Sequence, residues 1–316
     1  MVYKQKYISG LKAGEPVDEV FLVRTKELRK TKKGNDYLYL ELVDRTGQII
    51  ANIWDNTETI APNFSKDDFV QVAGVVEEYK GKPQVRIDSL KRLAEGEVDL
   101  SDFIAQTGQD IDLLWAQVKE ASETIKDSYL KQLIDLFLKD GNLAEAFKKS
   151  PASIKHHQPY LGGLLEHTVT MLNLARGILP SYPRLDRDLL IVGIILHDIG
   201  KIREYSFHLK PDHTDEGRLV GHTAIGLLML DEKVRMIEGF PPELLMKLQH
   251  LVLSHHGERA FGAPVVPMTA EALVLHYLDN LDARLAEYYE QIDNITEANG
   301  KWTKWLESLE RRFYKD

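Results

Sequence analysis

Eleven histidines punctuate the chain, and all of them fall between His156 and His276. One of them, His197, stands directly before Asp198 in the string ILHDIGK. Imidazole and carboxylate are donors suited to borderline and hard divalent cations. The chain has no cysteine, so disulfides, thiolate zinc sites and thiol catalysis are all excluded. Any metal chemistry therefore belongs to the second part of the chain and uses nitrogen and oxygen donors.

The helical patterning around these residues says how they are held. His167 shares a helical face with Leu164, Met171 and Leu174, and His255 shares a stripe with Leu244, Leu248 and Leu251. His222 opens HTAIGLLML on the side of Ile225 and Met229, and Asp279 lies between Leu275 and Ala286 in ALVLHYLDNLDARLAEY. His197-Asp198 ends LLIVGIIL, a stretch apolar nearly all round. Five polar positions thus point toward a core. A single histidine so placed is more often a hydrogen-bonded core residue. A set on successive helices that includes carboxylates is different, because an unpaired buried carboxylate is costly and a coordinated cation removes that cost.

The remaining composition sets the frame. A length of 316 residues suggests two domains, and 43% hydrophobic residues can build ordinary cores. The opening MVYKQKYISGLK lacks the apolar core of a secretory leader, and the longest apolar run, residues 189–196, is too short to span a bilayer. No membrane association and a cytoplasmic setting are expected. The net charge is −9, yet residues 1–95 are near balance with 16 basic and 15 acidic residues, so the acidity lies with the histidines. Such a region suits cations, and the balanced front does not exclude a local basic patch.

Residues 17–93 read as five strands, VFLVRTKEL, YLYLELVD, QIIANIWD, FVQVAGVVEEY and PQVRIDSLKRL, with a short helical piece, NTETIAPNF, between the third and fourth. That order resembles OB-folds of the anticodon-binding type, which often bind single strands by stacking bases on aromatics beside basic groups. In the second strand Leu38, Leu40 and Leu42 take one face as barrel core. Tyr37 and Tyr39 take the other, with Trp54 on the third strand. Lys26, Arg29, Lys30, Lys32 and Lys33 crowd the end of the first strand and its loop. From about residue 100 the period becomes helical, with Ser101 a candidate N-cap and residues 94–98 a hinge. The fold class expected is an all-β OB-fold barrel followed by an all-α helical bundle. The division is 1–95 barrel, 96–155 helical connector, 156–290 metal domain and 291–316 helical tail.

The order His167, His197-Asp198, His222, His255-His256, Asp279 resembles the HD-domain superfamily of metal-dependent phosphohydrolases over roughly residues 155–290. The resemblance implies a first metal held by His167, His197, Asp198 and Asp279. Asp198 then bridges to a second metal completed by His222 and His255. Two divalent cations are expected, Mn²⁺ first, with Co²⁺ or Fe²⁺ as alternatives. Asp279 is preferred to Asp282, one turn away. Asp198 and Lys201 are the catalytic candidates, with Lys201 assigned to transition-state charge and Arg203 a weaker version of the same idea. His256 and His157 are candidate substrate contacts, alongside Lys32, Tyr37 and Tyr39 on the barrel. His250 and His276 are expected to be structural.

The strings HHQPYLGGLLEHT, ILHDIGKIREY, LVLSHHGE and GKWTKWLESLERRFY, together with the barrel ahead of them, resemble the YhaM family of 3′→5′ exoribonucleases over essentially the whole chain. The resemblance implies stepwise release of nucleoside 5′-monophosphates from single-stranded RNA, with some action on single-stranded DNA, and leaves a homo-oligomer open. Three other readings fit the same residues. They are a cyclic-nucleotide or nucleotide phosphohydrolase with a regulatory barrel, a diiron oxygenase, and a single-strand-binding replication factor with a vestigial site.

Overall fold

The computed structural model describes residues 2–31, 33–104, 106–154, 158–206, 212–293 and 301–314. They fall into two compact units, residues 1–106 and 107–316.

The first unit is a closed barrel of β1 (Pro16–Lys30), β2 (Asp36–Asp44), β3 (Gly47–Ile53), β4 (Phe69–Tyr79) and β5 (Lys82–Leu93), in the order β1-β2-β3-β5-β4. The long β1 closes it. Its second half pairs with β2 and its first half with β4, and the strand changes partner around an irregularity between Val23 and Thr25. A bulge there lets one strand bend around a small barrel. The helix α1 (Thr57–Ile60) sits between β3 and β4, where the sequence placed it. Alternation along β2 buries Leu38, Leu40 and Leu42 beside Phe21, Val70, Val72 and Val85.

The second unit is helical. Its elements are α2 (Ile111–Glu123), α3 (Ser128–Leu138), α4 (Gly141–Lys149), α5 (Gly163–Ile178), α6 (Arg187–Leu196), α7 (Lys201–Glu204), β6 (Tyr205–Ser206), β7 (Asp212–His213), α8 (Asp215–Val220), α9 (His222–Val234), α10 (Pro242–Ser254) and α11 (Ala270–Asp293). Helix α6 is buried without a break from Leu189 to Leu196, which is why its sequence shows no polar face. The stretch expected as a connector supplies α2, α3 and α4, whose Leu114, Val118, Leu130, Leu133 and Phe147 join the core of α5, α6 and α10.

Two local expectations are corrected. Ser101 does not cap a helix. It lies in a short 3-10 turn, and α2 starts ten residues later, with Asp110 accepting from the amides of Asp112 and Leu113. Nor does the tail form a closing α-helix in its described part. Residues 301–314 carry the bridges Trp302↔Tyr314 and Leu306↔Arg311 and a single 3-10 turn. The hydrogen bonds of Thr303 and Phe313 with each other favour that hairpin-like path. No described helix is long and apolar enough to cross a membrane.

Candidate metal centre

Asp198 follows the central helix α6, so its carboxylate stands at the end of the most buried element of the fold. It is 3% exposed, and His167, His197 and His255 around it are buried. Helix α5 brings His167, α9 opens with His222, α10 ends at His255 and α11 carries Asp279. His197 Nε2 lies 3.2 Å from Asp198 Oδ2 and 3.3 Å from His167 Nε2, which is 3.4 Å from Asp279 Oδ1. On the other side, His255 Nε2 and His222 Nε2 lie 3.5 Å and 3.6 Å from Asp198 Oδ1. His256 Nε2 is 3.0 Å from His222 Nε2.

Two ligand-competent groups result, His167–His197–Asp279 and His222–His255–His256, with Asp198 between them. All six expected ligands meet in one place. His256, expected at substrate, stands among the donors of the second group.

The far nitrogens show which atoms are free to bind. His197 Nδ1 faces the Ile194 carbonyl at 2.8 Å and His255 Nδ1 faces the Val252 carbonyl at 2.7 Å. Each Nδ1 must therefore carry the proton, leaving the Nε2 lone pair directed inward. Asp198 Oδ1 and His255 Nε2 are buried and have no hydrogen-bond partner. Two buried acceptors facing one another without a proton between them are costly, and a shared cation satisfies both. The donor set of imidazoles and carboxylates, without sulfur, fits a divalent transition metal.

The electrostatics agree. Burial alone would raise the Asp198 carboxyl, but Lys201 and His197 hold it well below the usual carboxylate range. Burial, then the neighbouring His256, pushes His255 well below the ordinary imidazole value, and burial followed by His222 lowers His256 to about 4. Neutral imidazoles and ionised carboxylates are the protonation states that bind metal. Burial opposes charge on His167, yet Asp279 and Asp282 push it up to about 9, so this pocket favours a positive charge.

Two residues stand behind the ligands that the sequence did not single out in this role. Asp282 Oδ2 lies 2.7 Å from His167 Nδ1, and Glu204 Oε2 lies 3.1 Å from His222 Nδ1. Asp282 thereby fixes the His167 ring, while Glu204 accepts from the His222 amide through Oε1 and sets Oε2 beside the ring. A signal existed for Asp282, which shares a helical face with Asp279 three residues away; none existed for Glu204. Lys201 is buried with Nζ 2.6 Å from Asp198 Oδ2. Arg203 turns away to Glu216 at 2.7 Å, which removes it as a phosphate contact. His276 faces the His255 carbonyl through Nδ1 at 2.9 Å, and His250 Nε2 accepts from the Met268 amide. His157 lies outside the described residues.

On the barrel, Tyr37 stacks on Trp54 with ring centroids 4.6 Å apart, and the Arg29 guanidinium lies 3.5 Å from the Tyr39 ring centroid. Both tyrosines are half-buried, opposite the leucine face of β2. The basic cluster is largely engaged. Lys26 donates to the Ala61 and Phe64 carbonyls, Arg29 pairs with Glu27 and Lys30 with Asp36. Lys33 is exposed, and Lys32 lies outside the described residues.

The comparisons divide the chain in the same way. The HD domain family matches residues 164–284, and the OB-fold nucleic acid binding domain family matches residues 21–93. The HD match carries a dependence on divalent metal. Relatives along the whole chain include the "3'-5' exoribonuclease YhaM" of Bacillus velezensis, 34% identical over 304 residues, which is 96% of this chain and 95% of that protein. The Bacillus subtilis protein of the same name is 35% identical over the same shares. Among solved structures, the second OB-fold domain of replication protein A from Methanococcus maripaludis aligns with 30% of this chain and 97% of its own, at 20% identity and a TM-score of 0.24.

Proposed function

The chain belongs to the YhaM family of 3′-5′ exoribonucleases, and from that membership we propose that it shortens single-stranded RNA from the 3′ end at a centre holding two divalent cations, Mn²⁺ first. Single-stranded DNA is the proposed secondary substrate, and the cytoplasm the proposed setting.

The observation that carries the reading is the position of Asp198 between two donor groups. Its Oδ2 faces His197, and its partnerless Oδ1 faces His222 and His255. A carboxylate has two oxygens and can serve two cations. One ion would be held by His167, His197, Asp198 and Asp279, and the other by Asp198, His222 and His255, with His256 beside them. When bound, such a pair supplies an activated water and neutralises charge on a phosphodiester.

The chain's own groups do the rest. Asp282 keeps the imidazole of His167 turned inward, and Glu204 holds the start of α9 through the His222 amide. Lys201 balances the buried charge of Asp198, and its place in the lining of the cavity beside the donor groups supports the role of transition-state stabiliser. Tyr37 and Tyr39, with Trp54, offer ring faces on which bases stack irrespective of sequence. Lys32, in the adjoining loop, is proposed as a backbone contact. His157, four residues ahead of the Leu161–Gly162 turn that leads into α5, is proposed as a substrate contact. Hydrolysis with the ribose 3′-oxygen as leaving group would yield nucleoside 5′-monophosphates.

The test uses one RNA oligomer labelled in turn at each end and incubated with Mn²⁺. A 3′ label should appear at once as mononucleotide, while a 5′ label should pass through a ladder of shortening products. Release of mononucleotide from the 5′ label first, or turnover only of cyclic nucleotides, would overturn the reading.

A further inference from the structure

We propose that Arg284 is the side chain that grips the phosphate of the nucleotide at the centre, with Asn280 as its positioning residue; this rests on the exonuclease reading above. Beside the donor groups lies a cavity of about 140 Å³. Asp198, Asp279 and Lys201 form one part of its lining, and Phe261, Asn280 and Arg284 another. A lining that carries cationic and hydrogen-bonding side chains suits an anionic group such as a phosphate.

Two cations line this cavity, and they differ in availability. Lys201 Nζ sits 2.6 Å from Asp198 Oδ2, so its charge is committed to a buried carboxylate. Arg284 is half-buried in a chain with more acids than bases, yet it has no carboxylate partner among the described residues. Its Nε donates to Asn280 Oδ1 at 2.8 Å, one helical turn back on α11. That bond fixes the plane of the guanidinium and leaves the two terminal nitrogens unused. Those two nitrogens form the fork that matches two phosphate oxygens. The Phe261 ring, itself 51% exposed, has its centroid 6.0 Å from the guanidinium carbon. A guanidinium kept only for packing against Phe261 would not need its plane set by an asparagine.

The distinguishing experiment is calorimetric binding of adenosine 5′-monophosphate and of adenosine to the full-length, Mn²⁺-loaded protein. Arg284→Gln keeps the stem against Phe261 and should weaken the monophosphate by about 10- to 100-fold, the range of one charged hydrogen-bonded contact. It should leave adenosine binding, Mn²⁺ content and melting temperature unchanged. Arg284→Lys should recover part of the loss. Asn280→Ala should weaken the monophosphate less and raise KM on an RNA oligomer more than it lowers kcat. Equal loss for both ligands, or loss for neither, would overturn the assignment and leave Arg284 a packing residue. Stepwise 3′ degradation by the wild type together with an unaffected Arg284→Gln variant sinks this inference alone; absence of 3′ degradation by the wild type sinks the function instead.

Discussion

Asp198 is worth more than one ligand, because both of its oxygens face imidazoles. Replacing it with alanine should remove bound metal and RNA hydrolysis together while leaving single-strand affinity in place, since the stacked aromatics lie on the other unit. Metal content by mass spectrometry, turnover and oligomer binding read the three quantities separately, and normal turnover would refute the site. Asp282 makes a subtler case. It is nearly buried and meets His167 Nδ1 at 2.7 Å, the nitrogen facing away from the centre. Asp282→Asn should leave all six expected ligands in place yet weaken metal binding by roughly 10- to 100-fold, the usual cost of losing a carboxylate behind a ligating histidine. Titration of the metal-free protein with Mn²⁺ checks this. An unchanged affinity would mean that packing alone orients the ring.

At the scale of elements, two close approaches explain why the ligands converge. A Cβ on Gly200 would fall 2.0 Å from the His222 carbonyl oxygen, so the turn after Asp198 can meet the start of α9 only as glycine. Gly257 is left-handed at φ +78°, and a Cβ there would strike the His276 ring, which stands over the turn that carries His255 and His256. Gly200→Ala should therefore push His222 away from Asp198 and lower the bound Mn²⁺ per chain, while the His167–His197–Asp279 group keeps its own. A second element-level prediction concerns α4. Its N-cap, Asp140, accepts from the amides of Asn142 and Leu143 and pairs with Lys233 at 3.0 Å; the Lys233 hydrogen bond and then the Leu143 amide hold its carboxyl below the ordinary value. Its contribution is complete above the ordinary carboxylate pKa and is lost as pH falls on through the lowered value of the folded state. Asp140→Asn keeps a cap but carries no charge, so its melting temperature should fall less steeply on acidification than the wild type's. Equal slopes would show that the pairing adds nothing. These same elements mark how far the sequence could be read. The barrel was legible because alternation in β2 separates Leu38, Leu40 and Leu42 from Tyr37 and Tyr39 without further information. The convergence of the proposed ligands was legible because each interrupts an apolar helical face. The start of α2 was not, since serine and aspartate cap equally well and only packing against the core decides between Ser101 and Asp110. Nor were the bonds from Lys26 to the Ala61 and Phe64 carbonyls, because nothing local tells a lysine held by distant backbone from one left for nucleic acid.

The whole molecule has two hydrophobic cores, one inside the barrel and one among the helices. All the proposed metal donors belong to the helical unit, where they gather at the end of α6, buried from Leu189 to Leu196. A ligand that binds only the folded state stabilises it by mass action, by about 2.7 kcal/mol at one hundred times its dissociation constant. For a unit of this size that corresponds to a rise of roughly 5–10 °C in melting temperature. The barrel contributes no donor to either group and should gain nothing. Heating the chelator-treated protein with and without added Mn²⁺, while following Trp54 fluorescence against helical circular dichroism, separates the two cores. Since Trp115, Trp302 and Trp305 lie in the other unit, the measurement needs them replaced by phenylalanine. The helical transition should move upward with metal and that of Trp54 should stay. A Trp54 transition that rises in step would mean that the barrel unfolds only when the helical unit does, and the chain would then behave as one cooperative body despite its two cores.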